Sequence, residues 1–286
     1  MPRTTRRAKQ TAVRRRPNAA DRVAGWPVAH SRTPALHAAA FNDLGLQGWE
    51  SQLLPIPPDV FSETAAALPG SGFVGINVTI PHKEAAFALA DVATADATAI
   101  GAANTLTFRD GTIHAANTDA PAIRGALLAS LGTASLEGLS VLVLGAGGSA
   151  RAAAYAAVSG AAAEVSVWNR TPERAIALAA SIDGVGDVAE AGRPDVVINA
   201  TSVGLTSGDK IVDLPLEKGD LGDCRLLVDL VYGEHQTPIA SLGEELGLTV
   251  VDGLEILVRQ GALSIEIWTG GLPSLDVLRE AVKRAQ

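Results

Sequence analysis

Cysteine, methionine and aromatic residues are scarce in this chain. One Cys, one Met, two Tyr, four Trp and five Phe are spread over 286 residues. A lone Cys224 excludes an intramolecular disulfide and fits a reducing, cytoplasmic setting. No nucleophile motif surrounds it, so it is expected to fill space in or near a strand. With aromatics at 4% and hydrophobic residues at 47%, the cores must be built from Ala, Val, Leu and Ile. No apolar run approaches the roughly 18 residues that span a bilayer, so no membrane partner is expected. The histidines at 30, 37, 82, 114 and 235 lack metal-ligand spacing, and no metal is expected.

Acidic residues are missing from residues 1–20, which carry Arg3, Arg6, Arg7, Lys9, Arg14, Arg15 and Arg16. Subtracting that +7 from the total of −8 leaves −15 on the remainder. The segment is expected to be a solvated, disordered tail. A nucleic-acid arm and an organelle-targeting peptide are the alternatives. The absence of an apolar h-region speaks against a secretory signal, and the acidic body against nucleic acid as a partner.

Beyond the tail, strand and helix patterns alternate. Strands are expected from Val23, at Trp49–Leu54, Gly72–Thr79, Asn104–Phe108 and Thr112–Ala116, with helices at Thr33–Leu44, Val60–Leu68 and Pro81–Ala90. A helix at Pro121–Leu131 leads to a second run. It comprises strands 141–144, 164–168, 195–199 and 226–230, helices 149–159 and 172–181, and closing helices at 253–267 and 273–285. The pattern predicts an α/β protein of two domains: an open, mostly parallel α/β unit followed by a Rossmann-type unit starting near residue 120.

The second unit opens on Val141-Leu-Val-Leu-Gly-Ala-Gly-Gly-Ser-Ala150, a strand running into glycines and then a helix. Gly145, Gly147 and Ala150 occupy the positions of a dinucleotide fingerprint. The glycines allow close approach of a pyrophosphate, and the helix start offers unpaired N–H groups to it. The next strand ends on Asn169-Arg170-Thr171, followed by Arg174. No carboxylate stands there to hold a ribose 2′-hydroxyl. Two guanidiniums could pair with a 2′-phosphate, which predicts NADP(H) over NAD. Solvated residues at a helix end are the alternative reading of Arg170 and Arg174.

Four polar clusters lie at predicted strand ends: Gly25–Pro34, Asn77–Lys83, Gly101–Thr105 and Asn117–Asp119. Singly, each also suits helix capping or turn chemistry. Together, before a dinucleotide turn, they predict a site for a small polyhydroxylated molecule at the carboxyl ends of the strands.

These motifs, from residue 22 to 286, resemble shikimate dehydrogenase, of the shikimate/quinate dehydrogenase family. The resemblance rests on His30-Ser-Arg-Thr-Pro34, Asn77-Val-Thr-Ile-Pro-His-Lys83, Gly101-Ala-Ala-Asn-Thr105, Asn117-Thr-Asp119, Gly145-Ala-Gly-Gly-Ser-Ala-Arg151, Asn169-Arg-Thr171, Asn199–Gly204, Asp229–Tyr232, Gln260-Gly-Ala262 and Trp268-Thr-Gly270. It implies NADPH-dependent, reversible reduction of 3-dehydroshikimate to shikimate in aromatic amino-acid synthesis. Lys83 and Asp119 match the family's catalytic pair. Ser31, Thr33, Asn77, Thr79, Asn104, Tyr232 and Gln260 match positions around the substrate. The pyrophosphate loop matches Gly145, Ala146, Gly147, Gly148, Ser149, Ala150 and Arg151. The adenosine phosphate site matches Asn169, Arg170, Thr171 and Arg174. Thr201, Ser202, Val231 and Gly253 match the nicotinamide side. The place of Gln260 implies that the C-terminal helices fold back on the first domain.

The resulting division is a substrate domain of 21–119 plus 254–286 and an NADP domain of 120–253, in a monomer or homodimer. Thr33 stands where the shikimate pattern usually has Ser, which keeps the donor and adds a methyl. An NAD(P) quinate/shikimate dehydrogenase is therefore the alternative enzyme, and a non-catalytic dinucleotide-binding regulator the alternative of another class.

Overall fold

A computed structural model describes residues 20–285, except 189, 191, 207, 212, 213 and 234. The basic run 1–20, Ala20 apart, lies outside the described residues. The protein is α/β and contains two six-stranded sheets. The first comprises β1 (Ala20–Gly25), β2 (Glu50–Pro55), β3 (Gly75–Val78), β4 (Val92–Ala93), β5 (Thr105–Arg109) and β6 (Thr112–Ala116), in the order β2-β1-β3-β5-β6-β4. The second comprises β7 (Ser140–Leu144), β8 (Glu164–Trp168), β9 (Gly186–Asp187), β10 (Val196–Asn199), β11 (Leu226–Asp229) and β12 (Thr249–Val251), in the order β12-β11-β10-β7-β8-β9.

Among the described residues, all strand pairings of the second sheet are parallel. Its central strands are buried along their length: β10 and β11 read Val-Val-Ile-Asn and Leu-Leu-Val-Asp. Continuous apolar runs of this kind are what a sheet covered on both faces needs. The first sheet is mixed. β5 runs antiparallel to both β3 and β6, because Arg109-Asp-Gly-Thr112 closes a hairpin. Asp110 and Gly111 take positive φ there, 50° and 79°.

Ten helices are described: α1 (Thr33–Asp43), α2 (Phe61–Ala67), α3 (Lys83–Ala88), α4 (Ala95–Ile100), α5 (Asp119–Leu131), α6 (Gly148–Ser159), α7 (Pro172–Ala179), α8 (Pro238–Glu245), α9 (Gly253–Thr269) and α10 (Leu275–Arg284). Small side chains replace aromatic bulk where helix meets sheet. In α6, Ala150, Ala152, Ala153, Ala154, Ala156 and Ala157 are all fully buried. Asp252 caps α9 by accepting from the Glu255 N–H at 2.9 Å.

The elements expected from sequence are present with shifted ends. The third strand is shorter than Gly72–Thr79, because Leu68–Ser71 forms a 3-10 turn and Gly72 a left-handed kink of φ 82°. Unforeseen are α4, α8, β4, β9 and β12. The first of these, Ala-Asp-Ala-Thr-Ala-Ile, has too little apolar periodicity to signal a helix.

The C-terminal helices do pack back on the first half. Leu257, Val258, Ala262 and Ile265 of α9 and Leu278 and Val282 of α10 share a core with Leu36, Ala40 and Phe41 of α1. A larger core runs from Ile100 and Ala102 through Ile123 and Leu127 of α5 into Val141, Val143, Ile198 and Val228 of the second sheet.

Candidate active site

β1, β3, β5 and β6 deliver the polar clusters to one end of the first sheet. α5 starts at Asp119, directly after the β6 turn. A cavity there is lined by every residue expected to hold or transform the substrate: Ser31, Thr33, Asn77, Thr79, Lys83, Asn104, Asp119, Tyr232 and Gln260. Its far wall belongs to the second half, with Ser149, Thr201 and Val231.

Lys83 and Asp119 meet in this cavity. The Lys83 ammonium donates to Asp119 Oδ2 at 2.7 Å, and each side chain is 11% exposed. The other carboxylate oxygen accepts from Asn104 Nδ2 at 2.9 Å. Asp119 is thereby fixed from both sides, by Lys83 and by Asn104. A second ammonium bond runs to Ser149 Oγ at 2.9 Å.

Behind the pair lies a buried polar network. Asn104 Oδ1 accepts from the Thr118 N–H at 2.8 Å, and Asn104 Nδ2 donates to Gln260 Oε1 at 3.1 Å. Asn77 Nδ2 donates to Ser264 Oγ at 2.9 Å and Thr105 Oγ1 at 3.1 Å. Asn77 Oδ1 is buried without a partner among the described residues. A buried, unpaired acceptor in a cavity wall is a place for a ligand hydroxyl.

At the other rim, Ser31 Oγ donates to Thr33 Oγ1 at 3.0 Å. Burial pushes the Tyr232 hydroxyl up from the ordinary phenol value, against the opposing pull of its Ser31 hydrogen bond. The loop carrying Tyr232 is held from below. Asp229 accepts from the Val231 N–H at 3.0 Å, from Asn199 Nδ2 at 2.9 Å and from Thr237 Oγ1. Burial pushes the Asp229 carboxyl up, and these three bonds oppose the shift.

His82, beside Lys83, points away from the cavity. It bonds the Ile56 carbonyl at 2.8 Å and stacks on Phe61 at 4.2 Å. Burial lowers its pKa, which keeps it neutral and structural.

A groove adjoins the cavity, with Lys83 and Ser149 on the border of both. It is lined by Gly145, Ala146, Gly147, Gly148, Asn169, Arg170, Thr171, Arg174, Thr201 and Ser202. Gly145 has φ 111°, and a Cβ on it would lie 2.8 Å from the Ala200 carbonyl oxygen. A Cβ on Gly147 would enter open space within the groove. The first turn of α6 faces this space, and exposed Arg170 and Arg174 stand at its far end. The donor set fits a dinucleotide phosphate: free N–H groups at a helix start, then two guanidiniums.

Two residues expected at the pyrophosphate, Ala150 and Arg151, do not line the groove. Ala150 is fully buried in the core under α6, where its small Cβ permits close helix–sheet packing. Arg151 reaches across to the first half, donating to the Ile100 carbonyl at 2.6 Å, and within its own half donates to Ser181 Oγ at 3.0 Å. Val231 and Gly253 line the cavity rather than the groove. A Cβ on Gly253 would lie 2.6 Å from the Val231 carbonyl oxygen, so α9 begins where only glycine fits. Sequence reasoning placed Thr105, Thr118 and Asn199 only within motifs, with no individual role, and did not reach Ser264. The signal available for Ser264 was its spacing, four residues after Gln260 and therefore on the same helix face.

The sequence matches three family descriptions in succession. These are the shikimate dehydrogenase substrate binding domain over residues 23–106, shikimate/quinate 5-dehydrogenase over 127–207, and the shikimate 5'-dehydrogenase C-terminal domain over 253–283. The chain is 39% identical over 274 residues to the shikimate dehydrogenase (NADP(+)) of Methanothermobacter thermautotrophicus, covering 92% of this chain and 95% of that protein. It is 42% identical over 276 residues to that of Paracoccus denitrificans, covering 91% and 94%. Among solved structures, shikimate 5-dehydrogenase from Thermus thermophilus in complex with NADP(H) and shikimate superposes with a TM-score of 0.84. The two are 38% identical, over 94% of this chain and all of that one. Matches of this identity run through both sheets and the cavity between them, and the chain belongs to the shikimate dehydrogenase family.

Proposed function

We propose that this protein catalyses the reversible, NADP(H)-dependent reduction of 3-dehydroshikimate to shikimate in the shikimate pathway. The observation that carries the reading is the Lys83–Asp119 contact of 2.7 Å, placed where the hydroxyl- and amide-lined cavity meets the glycine groove. Lys83 and Asp119 are its catalytic pair. Ser31, Thr33, Asn77, Thr79, Asn104, Tyr232 and Gln260 hold the substrate. Gly145 to Ser149, Asn169, Arg170, Thr171, Arg174, Thr201 and Ser202 hold NADP, with Val231 and Gly253 flanking its nicotinamide end.

When bound, the reduced nicotinamide supplies a hydride to the ketone carbon. The chain manages the oxygen. As negative charge develops there, the Lys83 ammonium stabilises it and transfers a proton from Nζ to the oxygen. Asp119, fixed by Asn104, keeps the ammonium aimed and takes part in returning a proton to it. The paired hydroxyls of Ser31 and Thr33, with Tyr232, suit a substrate carboxylate. Asn77 Oδ1 suits a ring hydroxyl. Holding the ring at both ends sets the ketone against the donor, a positioning effect of large kinetic weight.

Residues 21–119 with 254–286 form the substrate half in this reading and 120–253 the cofactor half. In this reading the protein is a cytoplasmic monomer or homodimer, and its single cysteine, Cys224, is buried and outside any disulfide. No helix of the described residues is long and apolar enough to cross a membrane. Quinate is the second candidate substrate, favoured by Thr33 alone. Steady-state rates with shikimate and quinate, each with NADP and NAD, test the proposal. The expected order puts shikimate with NADP first. No NADP reduction with saturating shikimate would overturn it.

A further inference from the structure

The side chain of Ser149 does not behave as the loop position predicts. It sits in the first turn of α6, on the glycine loop, where its neighbours face the groove. Yet its hydroxyl oxygen accepts a hydrogen bond from Lys83 Nζ at 2.9 Å. The loop is also in direct contact with the lysine stem, since a Cβ on Gly148 would fall 2.7 Å from Lys83 Cβ. The glycine at 148 therefore lets the lysine lie against the helix start, and the serine at 149 gives its ammonium an acceptor.

An ammonium has three donors. Asp119 takes one at 2.7 Å and Ser149 another at 2.9 Å. The two acceptors come from different halves of the molecule, Asp119 from the strand-end turn of the first sheet and Ser149 from the start of α6. With two protons committed, one remains for a group bound where the cavity and the groove meet, both of which Lys83 lines. A flexible four-carbon side chain that would otherwise sample many rotamers is fixed.

We propose that Ser149 is a positioning residue for proton transfer: its hydroxyl aims the Lys83 ammonium at the reacting oxygen. This rests on the assignment of Lys83 above. It makes the cofactor loop part of the acid–base apparatus, so the loop that receives the dinucleotide also sets the lysine that works with it.

The test is a comparison of Ser149→Ala, Ser149→Thr and Lys83→Ala in the full-length chain, by steady-state kinetics with shikimate and NADP. Ser149→Ala is expected to lower kcat by about 10-fold to 100-fold, in the range for one hydrogen bond to a charged group. Its KM for NADP is expected to stay within about twofold, because Ser149 meets the dinucleotide through its backbone N–H, which the substitution keeps. Ser149→Thr, which keeps the hydroxyl, is expected to recover most of kcat. A raised NADP KM with unchanged kcat would assign the hydroxyl to the pyrophosphate and overturn the inference. So would unchanged kinetics in Ser149→Ala, or a Ser149→Thr variant as slow as Ser149→Ala. Lys83→Ala separates the two levels: if it too leaves kcat intact, the assignment of Lys83 fails, and if it alone lowers kcat, only the role of Ser149 fails.

Discussion

The amide nitrogen of Asn77 points at Ser264 Oγ, 2.9 Å away on α9. The same nitrogen donates to the Asn104 carbonyl at 3.1 Å, an atom that can only accept, so the amide cannot turn over. The carboxamide oxygen is thus committed as a buried acceptor in the cavity wall. Asn77→Asp would place a carboxylate oxygen against the Asn104 carbonyl and lose both donors. The expected result is a fall in kcat/KM for shikimate of about 100-fold, with a lower melting temperature, since a buried unsatisfied group costs about 1–3 kcal/mol and a charged one more. Steady-state kinetics and thermal denaturation check both parts.

Lys83→Ala removes the proton donor of the proposed reaction. A kcat lower by about 100-fold or more is expected, the usual weight of a positioned acid–base group. NADPH affinity, measured by fluorescence titration, is expected to hold, because the groove keeps its glycine loop and arginines. Lys83→Arg is expected to fail as well, since a guanidinium does not release its proton.

Arg170 and Arg174 are exposed at the end of the groove that the glycine loop begins. Replacing both by Ala is expected to lower kcat/KM for NADP by about 10- to 100-fold while leaving NAD nearly unchanged. The ratio of the two values is the measurement. An unchanged ratio would return both residues to solvent-facing helix ends.

Glu255 joins three helical positions: it accepts from Arg259 at 2.6 Å and from Arg279 at 2.8 Å. The Arg279 hydrogen bond, and then that of Arg259, hold its carboxyl below the ordinary value of 4.5. A lowered carboxylate pKa contributes stability that is present above the unfolded value and lost as the pH falls through the native one. The melting temperature is therefore expected to drop below about pH 4.5, and Glu255→Gln to flatten that part of the profile. Thermal melts from neutral to acid pH provide the check.

The sequence showed the chemistry of the site better than its mechanics. Glycines 145 and 147, the arginines after β8 and the polar strand ends carried their meaning in residue type and spacing. The expected substrate residues reach one cavity because β1, β3 and β6 end there and antiparallel β5 starts there beside Asn104, while Tyr232 and Gln260 come in from the loop after β11 and from α9. Other features depend on contacts between distant segments. Neither the meeting of Ser149 with Lys83 nor that of Ser264 with Asn77 is encoded in local pattern. The fingerprint position of Ala150 foretold a cofactor contact and instead gave packing. Short elements such as α4 and β12 were invisible because their residues lack amphipathic period, and their conformation is set by neighbours.

The largest core has a consequence for how the cleft fails. It passes without a break from Ile100 and Ala102, beside the first sheet, through α5 into the strands of the second. Neither wall has that part of its interior to itself. Loosening one wall withdraws packing from the other, so heating should produce one cooperative transition in calorimetry rather than two. Intermediate states with a working lysine and a melted loop, or the reverse, have little to stand on. The reactive geometry is then a property of the whole chain: where the chain is folded it is complete, and elsewhere it is gone.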